Sequence, residues 1–317
     1  MSFSKGVKDE LIKQNANARH CQLAELAAIF SLAGKIRKGM KNRYWLEINT
    51  ENLTVAQKSY ILLNRLFQTS VEVLVRNHNL QKNAVSYHII VQEPEMVVAV
   101  LKAIKVMDDT GNVRVSHISG QSALIQNSCC KRAFLRGVFL VAGSVTDPEK
   151  AYHLEIAVLS RELAVQIQKV MLFFHLDAKI VERKKYQVVY IKEGSQIVDF
   201  LNVVEAHVAL MEFENIRILK EVRNSVNRQV NCETANINKT VTAAKKQIDD
   251  INYIACHKGL SQLSESLREV AELRLEYPDS SLQELGQMLD PPIGKSGVNH
   301  RLRKLGDIAS QMRERRG

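Results

Sequence analysis

The sequence predicts an α+β fold: a duplicated α-β-β-α-β-β-α unit forming a pseudo-dimer within one chain, then an all-α domain with a helix-turn-helix. Three observations carry this reading. The chain repeats itself in order at a spacing of about 108 residues. A Y-x-L-E-I pentad occurs once in each copy. Near the C-terminus, a capping-box sequence, a Pro/Gly stop and a basic amphipathic stretch follow one another.

Each copy opens with an apolar helix of small residues ending in Ala-Gly, LAELAAIFSLAG over Leu23–Gly34 and LRGVFLVAG over Leu135–Gly143. The pentads follow, Tyr44-Trp45-Leu46-Glu47-Ile48 and Tyr152-His153-Leu154-Glu155-Ile156, whose alternation suits half-buried strands. Helices come next: Val55–Phe67, with the stripe Ile61, Leu62, Leu66 and Phe67, and Leu163–Phe174, with Ile167, Val170, Met171 and Phe174. Strand pairs follow, Val71–Arg76 with Ala84–Val91 and Ala178–Arg183 with Gln187–Ile191. Helices Glu95–Val106 and Ile197–Phe213 close the copies. The repeats thus occupy about 20–107 and 129–213 of a first domain, 1–213. Solenoid periods run about 20 to 50 residues, so a period this long implies paired halves. The small residues Ala28, Ala33, Gly34, Gly137, Ala142 and Gly143 allow two helices to pack closely across a pseudo-twofold axis.

The second domain, 214–317, reads as all-α. Glu214–Arg228 carries the stripe Ile216, Leu219, Val222 and Val226. Asn231–Asn238 is polar and reads as a junction, after which Val241–Ile254 and Leu263–Tyr277 are helical. Ser281-Leu282-Gln283-Glu284 is a capping box that starts a short helix through Leu289. Pro291, Pro292 and Gly294 stop it, and Ser296 is the expected N-cap of the last helix. There Val298, Leu302, Leu305 and Ile308 recur at helical spacing and should face inward. Lys295, Ser296, Asn299, His300, Arg303 and Lys304 lie off that stripe, with Arg301 at its edge. The helix-turn-helix spans about 281–309, a layout that lays its second helix in the major groove of duplex DNA. Arginine can grip guanine and asparagine adenine in bidentate fashion, while lysine positions the protein on phosphate.

Composition fits this partner. The 317 residues carry a formal net charge of +10, which favours an anionic ligand. Five cysteines, an odd number with no CxxC pair, suggest neither a zinc site nor a disulfide framework and point to reduced thiols in the cytoplasm. Met1–Leu11 has no apolar run, and Ala133–Gly143 is far shorter than the roughly 20 apolar residues of a membrane span. A P-loop, an HExxH and a glycine-rich dinucleotide turn are all missing from the sequence. The expected protein is therefore not an enzyme, uses no cofactor, metal or small-molecule substrate, and binds double-stranded DNA at the nucleoid.

Residues 20–213, by their paired small-residue helices, pentads and element order, resemble the LAGLIDADG homing endonucleases. That resemblance implies a carboxylate before each final motif glycine, where it would bind a divalent metal at the scissile phosphate. Here Ala33 and Ala142 stand at those positions, and the nearest acids are Glu25 and Asp147. Loss of nuclease activity is the expectation. A second DNA surface is expected at Arg37, Lys38, Lys41 and Arg43, with Arg183, Lys184 and Lys185 in the other copy. The whole combination resembles the WhiA family. The runs Lys295-Ser296-Gly297-Val298-Asn299-His300-Arg301-Leu302-Arg303-Lys304-Leu305 and Val222-Arg223-Asn224-Ser225-Val226-Asn227-Arg228 carry that likeness. It implies a DNA-binding transcription regulator tied to sporulation, cell division and chromosome segregation, with other transcription or division proteins as further partners. The alternative is a nucleoid- or division-associated interaction protein whose DNA binding is mainly non-specific.

Overall fold

A computed structural model describes residues 2–38, 44–78, 84–113 and 123–315. The chain divides into two compact units, Met1–Lys220 and Glu221–Gly317.

The first unit begins with α1 (Phe3–Leu11), whose Val7 and Leu11 are fully buried. The first copy then runs α2 (Arg19–Ala33), β1 (Gly34–Lys38), β2 (Tyr44–Thr50), α3 (Leu53–Phe67), β3 (Glu72–His78), β4 (Ala84–Val91) and α4 (Pro94–Ala103). The second runs α5 (Ser128–Ala142), β5 (Gly143–Val145), β6 (Leu154–Val158), α6 (Arg161–Phe173), β7 (Lys179–Arg183), β8 (Tyr186–Ile191) and α7 (Gly194–Val203). The duplicated α-β-β-α-β-β-α order is as the sequence predicts. Both sheets are antiparallel and share one topology, β1-β2-β4-β3 and β5-β6-β8-β7. The pentads occupy equivalent central strands. Leu46 and Ile48, like Leu154 and Ile156, are fully buried, so Glu47 and Glu155 project from the opposite faces.

Helices α2 and α5 pack against each other at the centre of the unit. Helix α2 is apolar on nearly all sides because it is buried between elements, not on a surface. At Gly137 the two helices approach so closely that a methyl group would lie 2.6 Å from the Glu25 carbonyl oxygen and 3.0 Å from Ala28 Cβ. The final motif glycines have a matching role in both copies. The ring of Phe30 folds over Gly34, and that of Phe139 over Gly143, so closely that a Cβ at either glycine would meet ring carbon at 2.2 Å.

One charged cluster lies inside this core. Glu25 Oε1 is 3.3 Å from Lys58 Nζ and 3.4 Å from Arg136 Nε, all three side chains being at most 3% exposed. Arg136 also reaches Glu205 at 2.5 Å. Burial pushes the Glu25 carboxyl up, against the opposing pull of Lys58 and Arg136, and burial likewise lowers Lys58. Neither Glu25 oxygen has a well-aligned hydrogen bond, and the Lys58 and Arg136 cations beside it compensate its charge.

Three expectations need correction. The closing helix placed at Ile197–Phe213 is broken: α7 ends at Val203, Glu205 adopts a left-handed φ of 67°, and a new helix starts at His207. That helix, α8, runs unbroken from His207 to His257 and absorbs the supposed junction Asn231–Asn238. The segment is polar but contains neither Gly nor Pro, the residues that stop a helix. An i,i+4 side-chain pair also supports it, Gln229 to Glu233 at 3.1 Å. Its start is capped from afar, both carboxylate oxygens of Glu10 accepting from the Val208 and Ala209 amides at 2.8 and 3.0 Å. The division between the units falls within α8. Finally, the last helix is capped by Gly294, not Ser296, which lies in its first turn.

Among the described residues, no helix is long and apolar enough to cross a membrane.

Candidate nucleic-acid interface

The second unit ends in α9 (Glu265–Glu276), α10 (Leu282–Gln287) and α11 (Lys295–Glu314). Together with the end of α8 they enclose a core of Ile251, Ile254, Leu267, Val270, Ala271, Leu285, Leu289, Val298, Leu302, Leu305 and Ala309. The inward stripe of α11 is thus Val298, Leu302, Leu305 and Ala309, with the expected Ile308 half-buried beside it.

The connections on both sides of α10 are fixed. The capping box forms as written, Glu284 N donating to Ser281 Oγ at 3.3 Å and Ser281 N to Glu284 Oε2 at 2.7 Å. These bonds hold the Glu284 carboxyl below its usual range. Ile293 N donates to the Gly286 carbonyl at 2.9 Å, and the returning chain leaves no room for a side chain at Gly286. Arg274, 2% exposed, donates to the carbonyls of Pro278 and Ser280 at 3.3 and 2.8 Å and so fixes the link between α9 and α10.

On this frame α11 presents two adjacent stripes to solvent. Lys295, Asn299 and Arg303 form one, and Ser296, His300 and Lys304 the other; all six are exposed. Arg301 differs, being half-buried with its guanidinium donating to the Ser266 carbonyl at 3.3 Å. That contact ties α11 to the start of α9. A cleft beside the first stripe is bounded by Lys295 and Asn299 of α11 and by Lys239 and Lys245 of α8. Both α8 lysines are exposed.

The expected second surface is less uniform than the sequence suggests. Lys41 and Arg43 lie outside the described residues, and Lys38 ends β1. Arg37 Nε pairs with Glu47 at 2.8 Å, and Glu47 also meets His88 Nδ1 at 2.6 Å. Burial would raise the Glu47 carboxyl, but hydrogen bonds from His88 and Arg37 outweigh it and hold the group below its usual range. In the second copy Arg183 pairs with Glu155 at 3.0 Å, and Glu155 meets His153 at 3.1 Å. The pentad glutamates therefore engage one arginine in each sheet. Lys184 and Lys185 sit exposed at the β7–β8 turn.

At the C-terminal ends of the motif helices, Ala33 and Ala142 are the last helical residues, and both lack a donor atom. Glu25 is sealed in the core, and Asp147 accepts from the Glu149 amide at 2.9 Å within a local turn.

These features define a LAGLIDADG-like α+β pseudo-dimer joined to a helix-turn-helix domain. Family models agree: the WhiA N-terminal LAGLIDADG-like domain matches residues 19–107, the WhiA LAGLIDADG-like domain 131–223 and the WhiA C-terminal HTH domain 226–309. A Lachnoclostridium phytofermentans protein described as "Probable cell division protein WhiA" is 53% identical over 320 residues, covering 99% of this chain and 100% of that one. One of the same description from Alkaliphilus oremlandii is 48% identical, covering 99% and 98%. The crystal structure of full-length DUF199/WhiA from Thermatoga maritima superposes with a TM-score of 0.60 at 27% identity, over 98% of this chain and 99% of that one. The chain belongs to the WhiA family.

Proposed function

We propose that this WhiA-family protein is a sequence-specific DNA-binding transcription regulator that reads duplex DNA through α11 and does not cleave it. The exposed double stripe of α11 carries the reading. Asn299 and Arg303 supply the donors and acceptors that distinguish base edges, and Lys295 and Lys304 supply charge for phosphate. Arg301, held by the Ser266 carbonyl, acts in this reading by fixing the angle of the helix as well as by its charge. Lys239 and Lys245 extend the basic rim. A role in cell division is proposed from the descriptions of the relatives.

The sheets have a smaller part. Arg37 and Arg183 are already engaged by Glu47 and Glu155, so phosphate would have to compete with a carboxylate for each of them. Lys184 and Lys185 remain as the proposed second contact. Absence of cleavage is supported by methyl groups at 33 and 142 and by the burial of Glu25.

Purified protein incubated with sheared DNA of its host, followed by sequencing of the retained fragments, tests this. Sharp peaks that vanish in an Asn299→Ala/Arg303→Ala double variant are expected. Broad enrichment unchanged in that variant would reject it in favour of non-specific binding, and magnesium-dependent nicking would reject the inactive scaffold.

A further inference from the structure

We propose that His20, Cys21, Cys129 and Cys130 form a tetrahedral, structural binding site for a soft divalent cation, zinc by the chemistry of its donors, that ties the two motif helices together at their N-terminal ends.

The sequence gives no such signal, since the cysteines fall in no CxxC pattern and the two pairs stand more than a hundred residues apart. Folding unites them. His20 and Cys21 lie in the first turn of α2, and Cys129 and Cys130 in the first turn of α5. The pairs occupy equivalent positions of the internal repeat: Cys21 matches Cys130, both buried, and His20 matches Cys129, both exposed. Their ligand atoms all lie within 4.8 Å of one another. His20 Nδ1 is 3.1 Å from Cys130 Sγ and 3.3 Å from Cys21 Sγ. Donors around zinc, with Zn–S of about 2.3 Å and Zn–N of about 2.0 Å, stand roughly 3.5–3.8 Å apart; the two His20 contacts are a few tenths of an ångström shorter than that, and the whole set stays within 4.8 Å.

The donor set is informative in itself. Three sulfurs and one imidazole make up a complete Cys3His set with no position left for a substrate, the pattern of a structural site and not a catalytic one. Thiolates favour zinc over magnesium or calcium, so this is not a displaced nuclease centre. It also lies at the far end of both helices from Gly34 and Gly143; the fifteen residues of α2 separate the two ends by about 20 Å. Both helix N-termini favour negative charge, and neither N-cap residue, Ala18 or Asn127, uses a side chain to cap. All three cysteines are free thiols. The exposed His20 and Cys129 give the ion a path of entry. Without a cation the buried sulfurs resist ionisation: burial first, then the neighbouring thiols, pushes Cys21 up to about 12 and raises Cys130. A bound dication reverses that balance, because its charge outweighs both effects.

Full-length protein, purified under reducing conditions without chelator, is expected to carry one zinc per chain by elemental analysis. Stripped of metal and titrated with Co(II), it should develop thiolate charge-transfer bands and the strong visible bands of a tetrahedral sulfur-rich centre, saturating at one equivalent. A Cys232→Ser/Cys256→Ser variant, which removes the remote exposed cysteines, should behave identically. Cys129→Ser and His20→Ala, at exposed positions the fold can tolerate, should each weaken binding at least tenfold. Circular dichroism confirms that each variant is folded. Folded, reduced protein that gives no such bands overturns the proposal. So does binding that survives Cys129→Ser but is lost in the Cys232→Ser/Cys256→Ser variant, or a disulfide within the cluster in freshly purified protein.

Discussion

Arg313, in the last turn of α11, donates to the buried carboxylate of Asp250 at 2.7 Å while its guanidinium stacks 4.7 Å from the Tyr253 ring. Asp250 is only 4% exposed, and Arg313 is partly open to solvent. One residue thus anchors the end of the proposed recognition helix to α8. Arg313→Ala leaves a buried acceptor without its partner and should destabilise the C-terminal unit by about 1–3 kcal/mol. Asp250→Asn, which keeps the shape and a hydrogen-bonding group, should cost less. Thermal unfolding of the full chain, followed by hydrogen exchange in α11, checks both; equal costs would mean that the contact is incidental.

The exposed stripes of α11 should divide into reading and positioning residues. Asn299→Ala and Arg303→Ala should each lose about 1–3 kcal/mol of preference for the cognate site over scrambled DNA. Lys304→Ala should weaken both sequences alike and reduce the slope of log K against log salt by about one. Titrations at several salt concentrations separate these outcomes. A uniform loss in all three variants would make the helix a phosphate contact only.

Gly137 offers a test of the helix–helix contact. In a helix Ala is favoured over Gly by about 1 kcal/mol. At Gly137 the added methyl group would press on the Glu25 carbonyl oxygen, which is backbone and cannot swing aside. Overpacking of that kind costs about 1–3 kcal/mol or more, so Gly137→Ala should be net destabilising. Gly6, in α1 with nothing near its absent Cβ, is the control. Gly6→Ala should raise the unfolding midpoint slightly, and opposite signs at the two positions are the expected result.

Glu47 predicts a pH effect. Its folded-state pKa is depressed by His88 and Arg37 despite burial. A depressed carboxylate contributes stability that is present above its unfolded value of about 4.3 and is lost as pH falls through the folded value. The wild-type midpoint should therefore fall more steeply below pH of about 4 than that of Glu47→Gln. Parallel curves would show that the Arg37–Glu47–His88 cluster is not linked to stability.

The repeat and the helix-turn-helix were legible because both are written in local chemistry: alternation in the pentads, small residues in the motif helices, and Ser281 with Glu284 before a Pro/Gly stop. What escaped depends on partners distant in sequence. Residues 231–238 are polar, and polarity resembles a linker until the absence of Gly and Pro is weighed. Arg37 and Arg183 read as available cations because the glutamates engaging them lie 10 and 28 residues away, on the adjacent strand for Arg37 and two strands across the sheet for Arg183. His20 and Cys130 are 110 residues apart, and only packing of α2 on α5 brings them together. Ser296 suits a cap by residue type, whereas Gly294 meets the backbone requirement two residues earlier.

The cap that Glu10 places on α8 has a consequence in time. The carboxylate and the Ala209 amide it accepts from are 199 residues apart. At about 5–20 residues per second, a ribosome needs roughly 10 to 40 seconds to make the intervening chain. Throughout that interval the Glu10 carboxylate lacks these two amide partners, and the contact closes only after both copies of the repeat have emerged. Closure of this cap therefore reports that both copies of the repeat are present, and it marks the completion of the α+β unit.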